Sequence, residues 1–385
     1  MSGPNAPVSA DQAGAVLTID LAAITENWRL LNRKLKQGCD CGAVVKADAY
    51  GLGAANVAAA LAGAGCKTFY VAHLGEGIEL RKTLGRGPRI IVMHGVNPGL
   101  EGEIFKHGLI PVLSTPDQIL AWRKFATDAD VLQETLIQVD TGMNRLGLSE
   151  AEFTTHLNDP DCFQGLTPLA LMSHLACAGT PGHPLNAIQL ERFNSALSAF
   201  RTKFPDAKGS LSNSSGIFLG DAWHFDYARP GAALYGLNPQ PDAKNPMLPV
   251  VRLQAKIIQI RRVDSTQTVG YGATFQAADG MKLATVSIGY ADGFLRSLSN
   301  AGHAQLDGFP IRVAGIVSMD LLTFDISHVP DSSARPGAMI DILAQQPIAD
   351  DLAKDAGTIG YEILTSLGHR YARRYLPASV PGLGS

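Results

Sequence analysis

A lysine near the start of the chain is the residue best suited to covalent chemistry. Lys46 lies in the stretch GAVVKADAYGLG at residues 42–53. The apolar, β-branched residues before it predict a short buried strand that ends on the lysine, followed by a turn at Gly51 and Gly53 and then an alanine-rich helix. A lysine at the end of a buried strand is a candidate for a lowered pKa, and therefore for a Schiff base with a carbonyl group.

Further polar residues stand where other apolar, strand-like runs end. They are His73, His94, Ser114, Asp140, Arg145, His174, Asn213, Ser214 and Arg229. The runs alternate with amphipathic, helix-like stretches and cover residues 42–46, 68–73, 89–94, 109–114, 134–140, 168–174, 209–213 and 225–231. This alternation predicts an α/β fold, an eight-stranded TIM-type (β/α)8 barrel, with its active site at the carboxyl ends of the strands.

The loops after the last two predicted strands are suited to binding a phosphate group, which barrel enzymes often hold there. Ser214 can donate a hydroxyl hydrogen bond, and Gly231 allows backbone amides to approach an anion closely. Arg229 could point at a ring nitrogen. A Schiff-base lysine, a phosphate cradle and a partner for a pyridine nitrogen are what pyridoxal 5'-phosphate (PLP) requires, so the sequence predicts PLP as cofactor.

The pattern changes after a linker rich in proline and asparagine at residues 235–247. The short β-branched runs that follow predict a mostly antiparallel β domain. We therefore divide the chain into a disordered tail at 1–14, a cofactor-binding barrel at 15–240 and a C-terminal β domain at 241–385. The run at 15–21 is assigned to the barrel domain, with the alternative that it joins the β domain. The segment at 359–376 is predicted to be helical.

Composition narrows the class of protein. The chain has 385 residues, 46% of them hydrophobic, and a formal net charge of −3, so it lacks the basic footprint of a nucleic-acid binder. No apolar run reaches the length of a membrane span and the start has no signal-peptide core, so we expect no membrane partner and a cytoplasmic location. Five cysteines without a CxxC pair, and histidines without an HExxH pattern, predict no metal site.

Blocks along most of the chain resemble the alanine racemase family. VVKADAYGLG resembles the family's PLP-lysine signature. The other blocks follow in the family's order: VDTGMNRLG (139–147), MSHLA (172–176), NSS (213–215), ARPGAALYG (228–236), VGYGATF (269–275), IGYADGF (288–294), SMD (318–320) and YEILT (361–365). The resemblance extends from about Leu17 to Tyr375 and implies a PLP-dependent racemase that interconverts L-alanine and D-alanine, the latter for peptidoglycan.

The resemblance also implies a head-to-tail homodimer with shared active sites and a small amino acid as substrate. Two catalytic bases would act, Lys46 and Tyr271 of the partner subunit. The residues implied to bind the cofactor are Lys46, Tyr50, Arg145, His174, Asn213, Ser214, Arg229, Gly231, Ala232 and Tyr361. Within this set, His174 would hydrogen-bond Arg229, and Arg229 would bond the pyridine nitrogen. The residues implied to bind substrate or line its entrance are Arg145, Met319, Tyr290 and Asp320.

The sequence departs from the family pattern at two positions. Many members carry a lysine, often carbamylated, where this chain has Gln138, whose neutral amide could still hydrogen-bond Arg145. An arginine common before the SMD block is replaced by Ile316.

Three other functions remain open: a PLP decarboxylase, a non-enzymatic PLP carrier, and a racemase acting on serine or on several amino acids. The KADAYGLG block and Tyr271 argue against the decarboxylase, and the β domain argues against the carrier. Nothing in the sequence separates alanine from serine well.

Overall fold

The fold is known from a computed structural model, which describes Ser9 and residues 11–378. Most of the tail predicted to be disordered therefore lies outside the described residues. In chain order the strands are β1 (Ala15–Asp20), β2 (Asp40–Cys41), β3 (Ala43–Val44), β4 (Thr68–Val71), β5 (Arg89–Val92), β6 (Ile110–Leu113), β7 (Gln133–Gln138), β8 (Leu166–Met172), β9 (Lys208–Ser210), β10 (Tyr227–Ala228), β11 (Val251–Arg262), β12 (Gln267–Val269), β13 (Phe275–Ala277), β14 (Lys282–Val286), β15 (His303–Leu306), β16 (Phe309–Val313), β17 (Leu322–Asp325), β18 (Met339–Leu343) and β19 (Ala372–Leu376).

The helices are α1 (Leu21–Lys34), α2 (Lys46–Gly51), α3 (Ala54–Gly63), α4 (Leu74–Leu84), α5 (Glu101–Lys106), α6 (Pro116–Ala129), α7 (Glu150–Asn158), α8 (Pro184–Lys203), α9 (Ala349–Ala356) and α10 (Gly360–Thr365). Sequence signals account for several of these bounds. Thr115 caps α6 by accepting a hydrogen bond from the amide of Gln118, with a proline in the first turn. None of the helices in the described ranges is long and apolar enough to cross a membrane.

Two compact units make up the chain. The first, which we name the parallel unit, comprises Ile24–Ala49 and Gly53–Leu248. Its main sheet has seven parallel strands in the order β3-β4-β5-β6-β7-β8-β9, with helices between successive strands. This order confirms the predicted alternation of strands and helices for those seven strands.

The eighth predicted strand is reduced to β10, which pairs in parallel with β2. Backbone hydrogen bonds continue on both sides of β10: the amide of Gly42 donates to Ala228 (3.0 Å), and the amide of Arg229 donates to Ser212 (2.8 Å) on the other side. Pro230 has no N–H to donate, but its carbonyl accepts from the amide of Val44 (2.9 Å). The expected strand at 42–46 is also shorter than predicted, because β3 ends at Val44 and Lys46 begins α2 instead of ending a strand.

The second unit, which we name the antiparallel unit, comprises the described residues up to Ala23, Tyr50–Leu52 and the described residues from Pro249 onward. Its eight-stranded sheet has the order β14-β17-β16-β15-β18-β11-β1-β19, and a separate hairpin joins β12 and β13. All of these neighbours are antiparallel except β1 and β19. A separate, mostly antiparallel β domain was the prediction for this region.

Strand β1, near the start of the chain, lies between β11 and the last strand, β19, in the sheet of the antiparallel unit. This strand pairs antiparallel with β11 and parallel with β19. The helix predicted over 359–376 is therefore wrong in its second half, since α10 ends at Thr365 and β19 takes the last residues. Pairing with β1 outweighs the local helix propensity of this segment. The turn residues Tyr50–Leu52 belong to the same unit, with Gly51 accepting a hydrogen bond from the guanidinium of Arg373 (2.7 Å).

The change from one unit to the other falls between Leu248 and Pro249. The buried side chain of Asn27 bonds the segment just before this change. Its amide donates to the carbonyls of Leu234 (3.2 Å) and Leu248 (2.9 Å), and its oxygen accepts from the amide of Leu248 (2.8 Å). These bonds fasten the proline-rich linker to the parallel unit.

Candidate active site

Lys46 opens a helical turn of the opposite hand to an ordinary α-helix. The four residues that follow it have φ angles of 51° at Ala47, 53° at Asp48, 53° at Ala49 and 57° at Tyr50. A left-handed conformation costs roughly 1–2 kcal/mol for each residue that carries a Cβ atom. Such a turn persists only where its surroundings hold it, and strain of this kind concentrates at functional sites.

Local hydrogen bonds account for part of that support. The amide of Ala49 donates to Val45 (2.9 Å), and the carbonyl of Asp48 accepts from the amide of Gly53 (2.9 Å). The Asp48 carboxylate accepts from the amide of Ala54 (2.7 Å), which ties the end of the turn to the start of α3. Sequence reasoning predicted a turn here but not its hand.

The electrostatic surroundings of Lys46 favour its neutral amine. Partial burial lowers the pKa of Lys46, the positive charge of Arg145 lowers it further, and the carboxylate of Glu76 opposes both. A neutral amine is the form that attacks a carbonyl carbon or accepts a proton. Arg145 therefore contributes charge next to Lys46, and Glu76, which opposes it, was not among the predicted site residues.

Arg145 lies on a tight loop after β7. The carboxylate of Asp140 accepts hydrogen bonds from the amides of Gly142 and Met143, both at 2.8 Å. Gly147 has a φ of +118°, and a Cβ there would stand 2.7 Å from a backbone carbon of Val139. The loop thus requires glycine at this point.

Gln138 does not contact Arg145 through a hydrogen bond within the described residues. Its Nε2 donates to the carbonyl of Leu146 (3.0 Å), and its Oε1 accepts from the hydroxyl of Ser114 (3.5 Å). The side chain therefore supports the backbone of the Arg145 loop. The hydrogen bond that the sequence left open for it is absent from these contacts.

Ser214 has the donor geometry that a phosphate group needs. Its Oγ accepts hydrogen bonds from the amides of Gly231 (3.0 Å) and Ala233 (3.2 Å). A serine hydroxyl has two lone pairs and one proton, so the proton is its remaining hydrogen-bonding capacity. Ala232 begins a short 3-10 helix, and its amide makes no hydrogen bond within the described residues. These two donors fit an oxyanion, and the donor set therefore fits the phosphate of PLP.

Arg229 is a buried cation at the end of the last parallel strand. Its guanidinium donates to the Ser210 hydroxyl and to the carbonyl of Ser173 (2.6 Å). Burial lowers the pKa of Arg229 to about 10, partly opposed by Tyr70, so the group keeps its charge at neutral pH. A charged guanidinium donates but cannot accept hydrogen bonds, which suits it to face an unprotonated ring nitrogen.

His174 is a neutral imidazole in this environment. Burial, followed by the positive charges of Arg229, Arg145 and Lys46, lowers the pKa of His174 to about 3. No hydrogen bond joins His174 to Arg229 among the described residues, because the guanidinium bonds Ser173 and Ser210 instead. The side chain of Asn213 bonds two backbone segments. Its Nδ2 donates to the carbonyl of Leu175 (3.4 Å), and its Oδ1 accepts from the amide of Gly216 (2.9 Å).

The remaining predicted site residues belong to the antiparallel unit. The rings of Tyr50 and Tyr361 lie 5.9 Å apart, and burial raises the pKa of both phenols, which keeps them as hydrogen-bond donors. Tyr271 is 72% exposed on a 3-10 turn between β12 and β13, and Met319 is 53% exposed. The side chain of Ile316, where the family commonly has arginine, packs beside that same turn: a Cβ atom added to Gly272 would stand 3.6 Å from it.

Tyr290 and Met319 lie on two backbone segments that hydrogen bonds hold together. The amide of Tyr290 donates to Ser318 (3.0 Å), and the amide of Ala291 donates to Met319 (3.0 Å). Asp320, on the same loop, accepts a hydrogen bond from Arg370 (2.8 Å). No cluster of three or more metal-ligating side chains occurs in the described part of the chain.

Comparisons with known proteins identify the family. The family model for "Alanine racemase, N-terminal domain" matches residues 19–239, and that for "Alanine racemase, C-terminal domain" matches residues 250–375. The alanine racemase of Rhodospirillum rubrum is 50% identical over 365 residues, which are 95% of this chain and 96% of that protein. The chain belongs to the alanine racemase family.

Other relatives agree with this assignment. A catabolic alanine racemase of Mesorhizobium japonicum is 49% identical over 370 residues, covering 96% of this chain and 95% of that protein. The crystal structure of alanine racemase from Bartonella henselae, with covalently bound pyridoxal phosphate, has a TM-score of 0.90 at 37% identity and covers 94% of this chain and 100% of that one. The predictions of the family, of a PLP-dependent isomerase and of PLP as cofactor are confirmed.

The left-handed turn predicts that glycine substitution destabilises the protein less within the turn than within an ordinary right-handed helix. Ala47 and Ala59 are both exposed, but Ala59 lies inside the right-handed helix α3. Ala59→Gly should lower the free energy of unfolding by about 1 kcal/mol. Ala47→Gly should leave it unchanged or raise it by up to about 1 kcal/mol, because glycine adopts positive φ without a steric cost. Denaturant unfolding of the PLP-loaded protein measures the free energy of unfolding of each variant. An equal decrease in the two variants would contradict the left-handed conformation at Ala47.

The lowered pKa of His174 predicts acid sensitivity. Between the ordinary histidine pKa of 6.5 and about 3, the unfolded chain binds a proton at His174 that the folded chain does not. Stability present above pH 6.5 is therefore lost as the pH falls, by up to about 1.4 kcal/mol per pH unit. Unfolding free energies from about pH 7 to about pH 5 should decline less steeply for His174→Gln than for the wild type or for His156→Gln. Parallel declines would show that His174 is protonated in the folded protein.

Proposed function

We propose that this chain interconverts L-alanine and D-alanine with PLP attached to Lys46. One observation carries the proposal: both lone pairs of the Ser214 hydroxyl are occupied by amides, which leaves its proton as a donor for a phosphate oxygen. Ala232 would add its amide, and Tyr50 and Tyr361 would add their phenols. Gly231 shapes the backbone of this cradle.

Lys46 is the proposed point of covalent attachment and one of the two bases. When bound, PLP withdraws electrons from the substrate's Cα atom and so acidifies the proton there. The lowered pKa of Lys46 then allows its Nζ to accept that proton and to return it. Arg229 would donate to the pyridine nitrogen and, as a permanent cation, keep that nitrogen from gaining a proton.

We propose that the substrate carboxylate is bound by a cationic side chain and by backbone amides. Arg145, which acts electrostatically on Lys46, would attract it from one side. The backbone of Met319 of the partner subunit would bind it from the other, with Tyr290 and Asp320 at the entrance. Asn213 is proposed as a support for the Ser214 loop, and His174 as a neutral group near Arg229.

Inversion at Cα requires proton transfer on both faces of a planar carbon. A single base would have to move across that plane, whereas two bases on opposite faces need no such movement. We assign the second face to Tyr271 of the partner subunit. The 72% exposure of Tyr271 in one chain supports this assignment, because a base needs a dry, ordered environment that a second subunit would supply.

Two features of assembly complete the proposal. The hydrogen bonds of β10 to its neighbours on both sides support an eight-stranded barrel closed between β9 and β3. The exposed side chains of Tyr271, Tyr290 and Met319 support a head-to-tail homodimer in which each β domain completes the other subunit's site. The proposed domains are residues 15–240 and 241–385, with residues 15–21 assigned to the second because β1 pairs with β11 and β19.

A product assay tests the activity. Full-length protein with PLP and L-alanine should form D-alanine, with the reverse reaction from D-alanine, as measured by chiral chromatography. Lys46→Ala should abolish the visible band of lysine-bound PLP and slow turnover by roughly 10²–10⁴-fold or more, while the exposed-lysine control Lys67→Ala should match the wild type. Release of carbon dioxide would indicate a decarboxylase, no product a carrier, and faster turnover of serine a different substrate.

Subunit exchange tests the shared active site. Lys46→Ala and Tyr271→Phe should each be inactive, yet a mixed dimer would contain one site with both defects and one intact site. Activity should then return to at most about half of the wild-type value per mixed dimer. If no activity returned although mass spectrometry showed mixed dimers, Lys46 and Tyr271 would have to act within one chain.

Peptidoglycan synthesis is the proposed use of D-alanine. Deletion of the gene should make growth depend on added D-alanine. Growth without it, combined with poor growth on alanine as carbon source, would instead indicate alanine breakdown.

A further inference from the structure

Glu76 links two backbone segments beside Lys46 through a single carboxylate. Its Oε2 accepts hydrogen bonds from the amides of Ala72 (2.7 Å) and His73 (3.1 Å), at the end of β4. Its Oε1 accepts from the amide of Ala47 (2.7 Å), the first residue of the left-handed turn. One charged group therefore receives three amide donors, two from one strand end and one from the turn that follows Lys46.

Helix capping explains only one of these two oxygens. Glu76 is the third residue of α4, where a glutamate commonly bonds the amide of the N-cap residue, here His73. Glu152 has the same position in α7 and bonds the amide of Ser149 (2.8 Å) through Oε2. Glu152 makes no hydrogen bond to a distant segment within the described residues, whereas the Oε1 atom of Glu76 crosses to a residue 29 positions away.

The bond to Ala47 acts where the backbone is strained. Four successive residues with positive φ need external contacts to stay in place, and Ala47 is the first of them. A charge-assisted hydrogen bond is roughly twice as strong as a neutral one. A fixed Ala47 amide fixes the orientation of the peptide group between Lys46 and Ala47. It therefore also constrains the direction in which the Lys46 side chain projects from the backbone.

We infer that Glu76 is a positioning residue for Lys46: its carboxylate holds the left-handed turn so that the amine meets the cofactor in a fixed place. The inference rests on the proposed role of Lys46. Glu76 also adds a negative charge to a group of cations and imidazoles around the lysine, namely Arg145, His73 and His94. The rings of His73 and His94 contact each other edge to face at 4.9 Å.

The test measures recapture of PLP by full-length protein from which PLP has been removed. Glu76→Gln should bind PLP about tenfold to a hundredfold more weakly, because one amide oxygen cannot accept all three amide donors. Its capture rate should also reach half maximum at lower pH, since removing a negative charge disfavours the protonated amine of Lys46. The visible band of lysine-bound PLP reports both quantities.

Two further variants separate positioning from capping and from charge. Glu152→Gln removes the equivalent capping carboxylate of α7 and should leave PLP binding and the pH midpoint unchanged. Glu76→Asp keeps the charge but is one methylene shorter, so it should keep the midpoint near that of the wild type while still binding PLP more weakly. Thermal unfolding of each variant shows that it is folded.

Two results would overturn the inference. One is wild-type PLP binding and midpoint in Glu76→Gln. The other is weaker binding with an unchanged midpoint and a loss of unfolding temperature equal to that of Glu152→Gln, which would make Glu76 a helix cap alone. If wild-type protein failed to form the band, or Lys46→Ala formed it, the proposed function would fail instead.

Discussion

The preference of L-residues for right-handed backbone is the constraint on which this site depends. Four non-glycine residues after Lys46 break that preference in succession. The chain compensates with fixed partners: Glu76 on the amide of Ala47, and Asp48 on the amide of Ala54. The turn after Lys46 is thus supported by hydrogen bonds to carboxylates both inside and outside it.

Charge is distributed in the parallel unit so that anions are favoured and the protonated amine of Lys46 is not. Arg229 stays cationic although it is buried, and Arg145 lowers the pKa of Lys46. His174 responds to the same cations by staying neutral, with its pKa lowered to about 3. Burial and like charges thus act together to lower the pKa of Lys46 among positive groups, a setting suited to a phosphate and a carboxylate.

The proposed site residues are distributed over both units. The parallel unit contains Lys46, Ser214 and Arg229, while the antiparallel unit carries Tyr271 and Met319 on exposed turns. Large apolar side chains that are exposed to water, such as this tyrosine and methionine, commonly mark an interaction surface. This is the physical basis for proposing that a second subunit covers them.

The sequence alone determined the βα alternation, the later antiparallel strands, and the residue types at the strand ends, because hydrophobic period and turn residues are local properties. Its motif blocks also determined the family and the cofactor. Tertiary structure decided the rest. The left-handed turn after Lys46 is bonded to Glu76, 29 positions further along the chain from Ala47, and residues 372–376 form β19 paired with β1. Long-range hydrogen bonds, such as those of Asn27, leave no pattern in local sequence that would reveal them.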